Sequence, residues 1–242
     1  MEEISVKLGL YDFFNVLLAG GLFVFSVFFM SHKVLDFYAN KVLVVFNTEF
    51  EKILVLLFLC YIIGIVFQEI ASFCEEKIFH IRKSMLKNFL IVDSIVENKP
   101  KLEVFRNLAY DILNKKLISH GDNDISGEQC HYVYAYCFYY VQNRGMTEKI
   151  EKIRALYGMS KTFTVVFFAI AFVALIKISM NIFLPNIVIN ELPLTISFFI
   201  SSVFLMILFF YRMKKNMKYM IRMIMSTYEA CVDKMIETHR PE

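Results

Sequence analysis

Hydrophobic residues in this chain gather into four long blocks: Phe13 to Met30, Ile53 to Phe67, Thr162 to Leu184 and Leu192 to Tyr211. A helix that crosses a bilayer needs about 20 mostly apolar residues, so each block predicts a transmembrane helix. Within the first, only Asn15 and the small run Ala19-Gly20-Gly21 interrupt the pattern. The second can extend through Gln68 to Phe73, the third carries Lys177, and the fourth holds no charge.

Outside the blocks the pattern changes period. Past the second block, Cys74, Ile78, Ile81, Met85, Phe89 and Val92 recur every three or four residues among Glu75, Glu76, Lys77, Arg82, Lys83 and Lys87. That spacing predicts one apolar stripe on a charged helix that continues the span. Past the fourth block, Met217, Ile221, Ile224, Tyr228, Cys231 and Met235 alternate at four and three, a heptad seam. Such seams pack within the chain or against neighbouring subunits, which leaves room for a homo-oligomer.

Two or three further helices are expected before the third block. One starts near Lys101 and offers Phe105, Leu108, Ala109, Ile112 and Leu113 for burial; a polar loop, Ser119 to Ser126, ends it. Ser126-Gly127-Glu128-Gln129 fits a capping box, in which the Ser hydroxyl and Gln amide satisfy orphan backbone donors. The helix it opens carries Tyr132, Tyr134, Tyr136, Phe138, Tyr139 and Tyr140, aromatics on nearly every face. They predict a helix surrounded by its own core, or one that docks a partner. Asn143-Arg144-Gly145 breaks it, and a short helix over Thr147 to Tyr157 leads into the third block through Gly158-Met159-Ser160. The fold class expected is an all-α integral membrane protein. A first hairpin occupies 1–72, a helical insertion 73–160, a second hairpin 161–211 and an amphipathic tail 212–242.

Composition agrees, and charge placement adds an orientation. Hydrophobic residues make up 57% of the chain, at a mean hydropathy of +0.53, against about 45–50% in an average soluble domain. The loop Pro185 to Glu191 has no Lys or Arg, whereas Arg212, Lys214, Lys215, Lys218 and Arg222 follow the fourth block at once. By the positive-inside rule that end is cytoplasmic, and an even number of spans puts the N-terminus there too. Asp12, Glu69, Lys161 and Arg212 then fall near the inner boundary, one on each span. They read either as a ring at the inner mouth of a bundle or as interfacial charges whose side chains snorkel to water. Lys177, near the outer end of its span, reads as a snorkelling group. Glu2 and Glu3 stand where a signal peptide wants positive charge, so the first block is expected to remain as a span. The five cysteines are an odd number and predict free thiols in a reducing compartment.

Tests for chemistry find no constellation. Asp122-x-Asp124-x-Ser126-Gly127 begins like a calcium loop, yet its twelfth position is Val133 where a bidentate Glu is required. Cys130 and Cys137 lie two turns apart, about 10 Å by helix rise, too far to share a zinc. Walker, GxGxxG, GxSxG, CxxC and HExxH patterns are absent. Ser197, Ser201 and Ser202 have no His partner in their block and read as small residues that let helices approach, along with Ala169, Ala171 and Gly64. No catalytic residue, metal or cofactor is expected, and no direct nucleic-acid site, because cations are sparse along the aromatic helix.

Three stretches carry a resemblance. They are Tyr11-Asp12-Phe13-Phe14 leading to Ala19-Gly20, Tyr61-Ile62-Ile63-Gly64 leading to Gln68-Glu69 and Ser72, and Ala155-Leu156-Tyr157-Gly158-Met159-Ser160. Together they resemble a group of small four-span bacterial proteins with a helical cytoplasmic insertion. Members accompany phage-defence modules, CRISPR and cyclic-nucleotide systems among them, as membrane effectors or sensors. Ala19 stands where the group commonly has proline. The resemblance implies an inner-membrane effector or sensor that assembles and alters membrane permeability on a cytoplasmic signal. The alternative is a non-catalytic anchor recruiting a cytosolic protein or nucleoprotein complex.

Overall fold

The structure, a computed structural model, describes the backbone of residues 2–31, 48–91, 99–116, 125–183 and 192–238. Within these it describes the side chains of 13–31, 48–91, 100–116, 125–181 and 192–233. Lys33, Lys41, Val92, the loop 185–191, most of the polar loop 119–126 and the side chains of Asp12 and Met235 lie outside the described residues.

The described residues form α-helices with one π-turn and no strand. They are α1 (Glu2–Met30), α2 (Glu49–Cys74), the π-turn (Glu75–Phe79), α3 (Ile81–Asn88), α4 (Lys99–Lys115), α5 (Gly127–Asn143), α6 (Glu148–Phe183) and α7 (Leu192–Thr238). Four of them, α1, α2, α6 and α7, contain stretches long and apolar enough to cross a membrane. The chain divides into two compact units. The first holds Met1–Cys74 and Gly158–Met213, the second Glu75–Tyr157 and Lys214–Glu242.

In the first unit the four apolar helices share one core. Ala19 and Met30 of α1, Phe67 and Ala71 of α2, and Phe163, Val166, Ile170 and Ala174 of α6 are buried together, with Phe198, Phe199 and Phe209 of α7 against them. Helix α6 is the central one: every residue from Thr162 to Phe167 is buried. Of its apolar window 44% is buried, against 11% for α7, which is peripheral. Phe209 of α7 reaches α6 edge-on to Phe163 (5.1 Å between centroids) and stacked on Phe167 (5.6 Å). Helices α1 and α2 cross at their glycines. An added Cβ on Gly20 would run into the carbonyl of Cys60, and one on Gly64 into the carbonyl of Val16. This close approach is the arrangement expected where small residues replace hydrophobic driving force. The remaining surface is apolar: Phe13, Phe25, Phe29, Phe58, Phe168, Ile200 and Phe204 are all exposed. An apolar surface this extensive suits hydrocarbon rather than water.

The second unit is a small helical domain with its own core. Phe89, Leu102, Phe105, Ala109, Leu113, Val133, Cys137, Ile150, Met217, Ile221 and Ile224 are buried in it. Helix α5 begins on the capping box: Ser126 is the N-cap, its hydroxyl accepts from Gln129 N, and Gln129 Oε1 accepts from Ser126 N. It ends at Asn143, where Gly145 takes φ +70°. Arg106 closes the exit of α3 by donating Nε to Leu90 O at 2.8 Å.

Two expectations are corrected. No separate helix covers Thr147 to Tyr157; Gly158 does not break the chain, and α6 runs unbroken for 36 residues. The single stripe past the second block is also interrupted. His80 N donates to Glu75 O at 2.9 Å, a widened turn, and His80 then adopts φ 49°. The helix face rotates there, leaving Ile78 63% exposed while Ile81, Leu86 and Phe89 are buried; Met85 is half-buried.

Candidate functional site

In the first unit a polar contact joins the last turn of α2 to the interior of α6. Lys161 Nζ donates to Ser72 Oγ at 3.1 Å, and Ser72 Oγ donates in turn to Gln68 O at 2.9 Å. A lysine stem packed on apolar helices with its ammonium on hydroxyl oxygen is a snorkelling geometry turned inward. Glu69 and Arg212 are exposed. Of the four boundary charges, Lys161 alone has a described polar contact that draws two helices together; the side chain of Asp12 is not described.

The second unit opens on the π-turn, and its carboxylate Glu75 is held there. Tyr157 Oη donates to Glu75 Oε1 at 2.8 Å. The tyrosine is buried, and burial, with the adjacent carboxylate added, pushes its phenol well above the ordinary range; Arg82 acts in the opposite direction. Tyr134 is raised by burial too, with Arg82 and Arg154 offsetting it. Glu75 and Tyr157 thus form a hydrogen-bonded polar cluster beside the turn, with the charges of Arg82 and Arg154 acting on the buried phenols. A non-glycine residue in left-handed conformation costs about 1–3 kcal/mol, so His80 is a strained link next to that cluster. Sequence reasoning missed the Glu75–Tyr157 pair, because its partners are 82 positions apart. The stretches ending in Ser72 and Ser160 were singled out, and the Lys161 contact shows that their ends lie side by side.

The aromatic helix α5 is sided. Val133, Tyr134, Cys137 and Val141 face the core, Tyr136, Phe138 and Tyr140 are half-buried, and Tyr132 and Tyr139 are 37% and 63% exposed. Tyr136 and Tyr140 both meet the ring of Tyr228 on α7 edge-on, at 6.1 and 5.1 Å. Burial and the surrounding anionic forms push the Tyr228 phenol up. Lys116 Nζ lies 5.6 Å over Tyr136, and Arg144 lies 5.3 Å over Tyr140. These are cation–π contacts within the chain. The tail seam sits in the same core: Met217, Ile221, Ile224, Tyr228 and Cys231 are all buried.

The cysteines are free, and burial shapes those outside the apolar stretches. Desolvation raises the Cys130 thiol and lifts Cys137 from 9.0 to about 12. Thiols so raised are poor nucleophiles. Among the described residues no group of three or more His, Cys, Asp or Glu could hold a metal ion. No protein-family model, curated protein or solved structure is significantly similar to this chain.

Proposed function

We propose that this chain is a multi-pass protein of the bacterial inner membrane. In this reading the second unit and both termini are cytoplasmic, and copies assemble and alter membrane permeability when a cytoplasmic signal acts on that unit. The resemblance noted above makes phage defence the setting. The observation that carries the reading is helix continuity: α6 and α7 each contribute residues to both units without a break. At 1.5 Å per residue their 36 and 47 residues span about 54 and 70 Å, well beyond the ~30 Å hydrocarbon layer. Each such helix is a covalent path by which a signal on one unit reaches the other. The signal must bind two arrangements of the bundle unequally for this to work.

The test is reconstitution into dye-loaded liposomes. Dye release or current on addition of the activating partner is the expected result; intact vesicles under every candidate partner refute the permeability mechanism. A second reading, a non-catalytic anchor for a cytosolic protein or nucleoprotein complex, draws on exposed Tyr132 and Tyr139. Under that reading, alanine at both positions abolishes partner recruitment and leaves the vesicles sealed throughout.

A further inference from the structure

The outward face of α7 changes chemistry along its length while its inward face stays apolar. At about 100° per residue, Phe204, Leu208, Tyr211, Lys215 and Tyr219 lie in one arc, opposite buried Met213, Met217 and Met220. Phe204, Leu208, Tyr211, Lys215 and Tyr219 are all exposed, as is Arg212 on the flank of the arc. From Phe204 to Leu208 the arc is apolar; from Tyr211 it alternates tyrosine and cation. Lys214, Lys218 and Arg222 interact with other groups of the chain, so the outward-facing pair considered is Arg212 and Lys215. The helix carries no Asp or Glu between Leu192 and Tyr228.

We infer that Arg212 and Lys215, flanked by the rings of Tyr211 and Tyr219, bind the headgroup of an anionic phospholipid. This rests on reading the four apolar helices as membrane spans. Tyrosine marks the boundary between hydrocarbon and headgroups, which places Tyr211 at that boundary. Lys215 then lies about 6 Å further along the axis by helix rise, at phosphate depth in a headgroup layer of about 5–7 Å. Two cations with no carboxylate on the same helix stretch select a lipid of net negative charge over a zwitterionic one.

Native mass spectrometry of the full chain in detergent, titrated with phosphatidylglycerol and with phosphatidylcholine, tests this. The wild type is expected to favour phosphatidylglycerol. In R212Q/K215Q the preference falls by roughly fivefold for each charge removed, and far-UV circular dichroism stays unchanged. R212K/K215R retains the preference, as does K83Q/K101Q, which removes exposed cations elsewhere. Equal binding of both lipids by the wild type overturns the assignment, as does a preference that survives R212Q/K215Q or is lost in R212K/K215R. Displacement of the bound lipid by soluble glycerol phosphate also overturns it, since the site would then be one for free phosphate. A chain that stays dissolved without detergent fails earlier, at the spanning reading itself.

Discussion

Replacing either glycine at the crossing of α1 and α2 with alanine forces the two helices apart, whereas the same change one residue away does not. A Cβ on Gly20 would overlap the Cys60 carbonyl and stand 2.7 Å from Gly64 N; one on Gly64 would overlap the Val16 carbonyl and stand 2.9 Å from Val16 Cγ1. Carbon contacts are optimal at about 3.5–4.0 Å, and the obstacles are backbone, which cannot rotate away as a side chain would. Overpacking typically costs about 1–3 kcal/mol, and this geometry belongs at the top of that range. Alanine's helix propensity returns about 1 kcal/mol, leaving a net loss of about 2 kcal/mol for G20A or G64A. Gly21 has nothing within 4 Å of an added Cβ, so G21A keeps the propensity gain alone and serves as control. SDS-induced unfolding followed by circular dichroism measures the loss. Maleimide labelling of Cys60, 3% exposed in the native protein, reports the separation locally and is expected to accelerate in G20A and G64A only. Equal stability and equal Cys60 labelling in all three variants would refute the close crossing.

Three further outcomes follow from the second unit. S126A removes the N-cap acceptor and costs about 1 kcal/mol, with faster hydrogen exchange at the Gln129 amide; unchanged exchange there refutes the cap. Y157F removes a hydrogen bond to a carboxylate, worth about 1.5–3 kcal/mol, and lowers the thermal midpoint, while Y139F on the surface leaves it unchanged. Cys137, held at about 12 against an ordinary 9.0, keeps its proton in the folded chain when the unfolded chain has lost it. Its stabilisation is therefore complete below pH 9 and is lost as pH rises from 9 towards 12, at up to about 1.4 kcal/mol per pH unit. Tyr157 and Tyr228, raised in the same direction, steepen that decline at higher pH. A melting temperature that does not fall between pH 9 and 11 contradicts the burial of these groups.

The four long apolar helices and the Ser126 cap were legible in the sequence because each signal is local. Hydropathy adds along the chain, so Phe13 to Met30 reads as a helix long enough to span whatever surrounds it. A capping box needs only residues three apart. The break at His80 was not legible, since Glu75–Phe79 contains ordinary helix formers and nothing there demands a wide turn. One extra residue in a turn rotates everything after it by about 100°; of the predicted stripe Ile81 and Phe89 are buried, while Ile78 is exposed, Met85 is only half-buried and Leu86 takes a buried place. Gly158 erred in the other direction. Glycine inside a helix costs about 1 kcal/mol, which α6 absorbs through the packing of Tyr157 and Ser160 on either side, both buried.

The same packing decides which surfaces remain for assembly. A heptad seam in an isolated sequence serves equally as a coiled-coil interface or as one face of a monomer's core. Here Met217, Ile221, Ile224, Tyr228 and Cys231 are already buried, with Tyr136 and Tyr140 against Tyr228 and Met146 Sδ 3.4 Å from Cys231 Sγ. Opening that core to pair two tails would expose several large side chains, each worth about 1.5–3 kcal/mol of burial. Two copies would have to return that energy before gaining anything. Any proposed assembly that keeps the second unit folded must therefore use surfaces its own core leaves free. On the first unit's part of α7, Ile200, Phe204, Ile207 and Leu208 are exposed together and are not committed to that core.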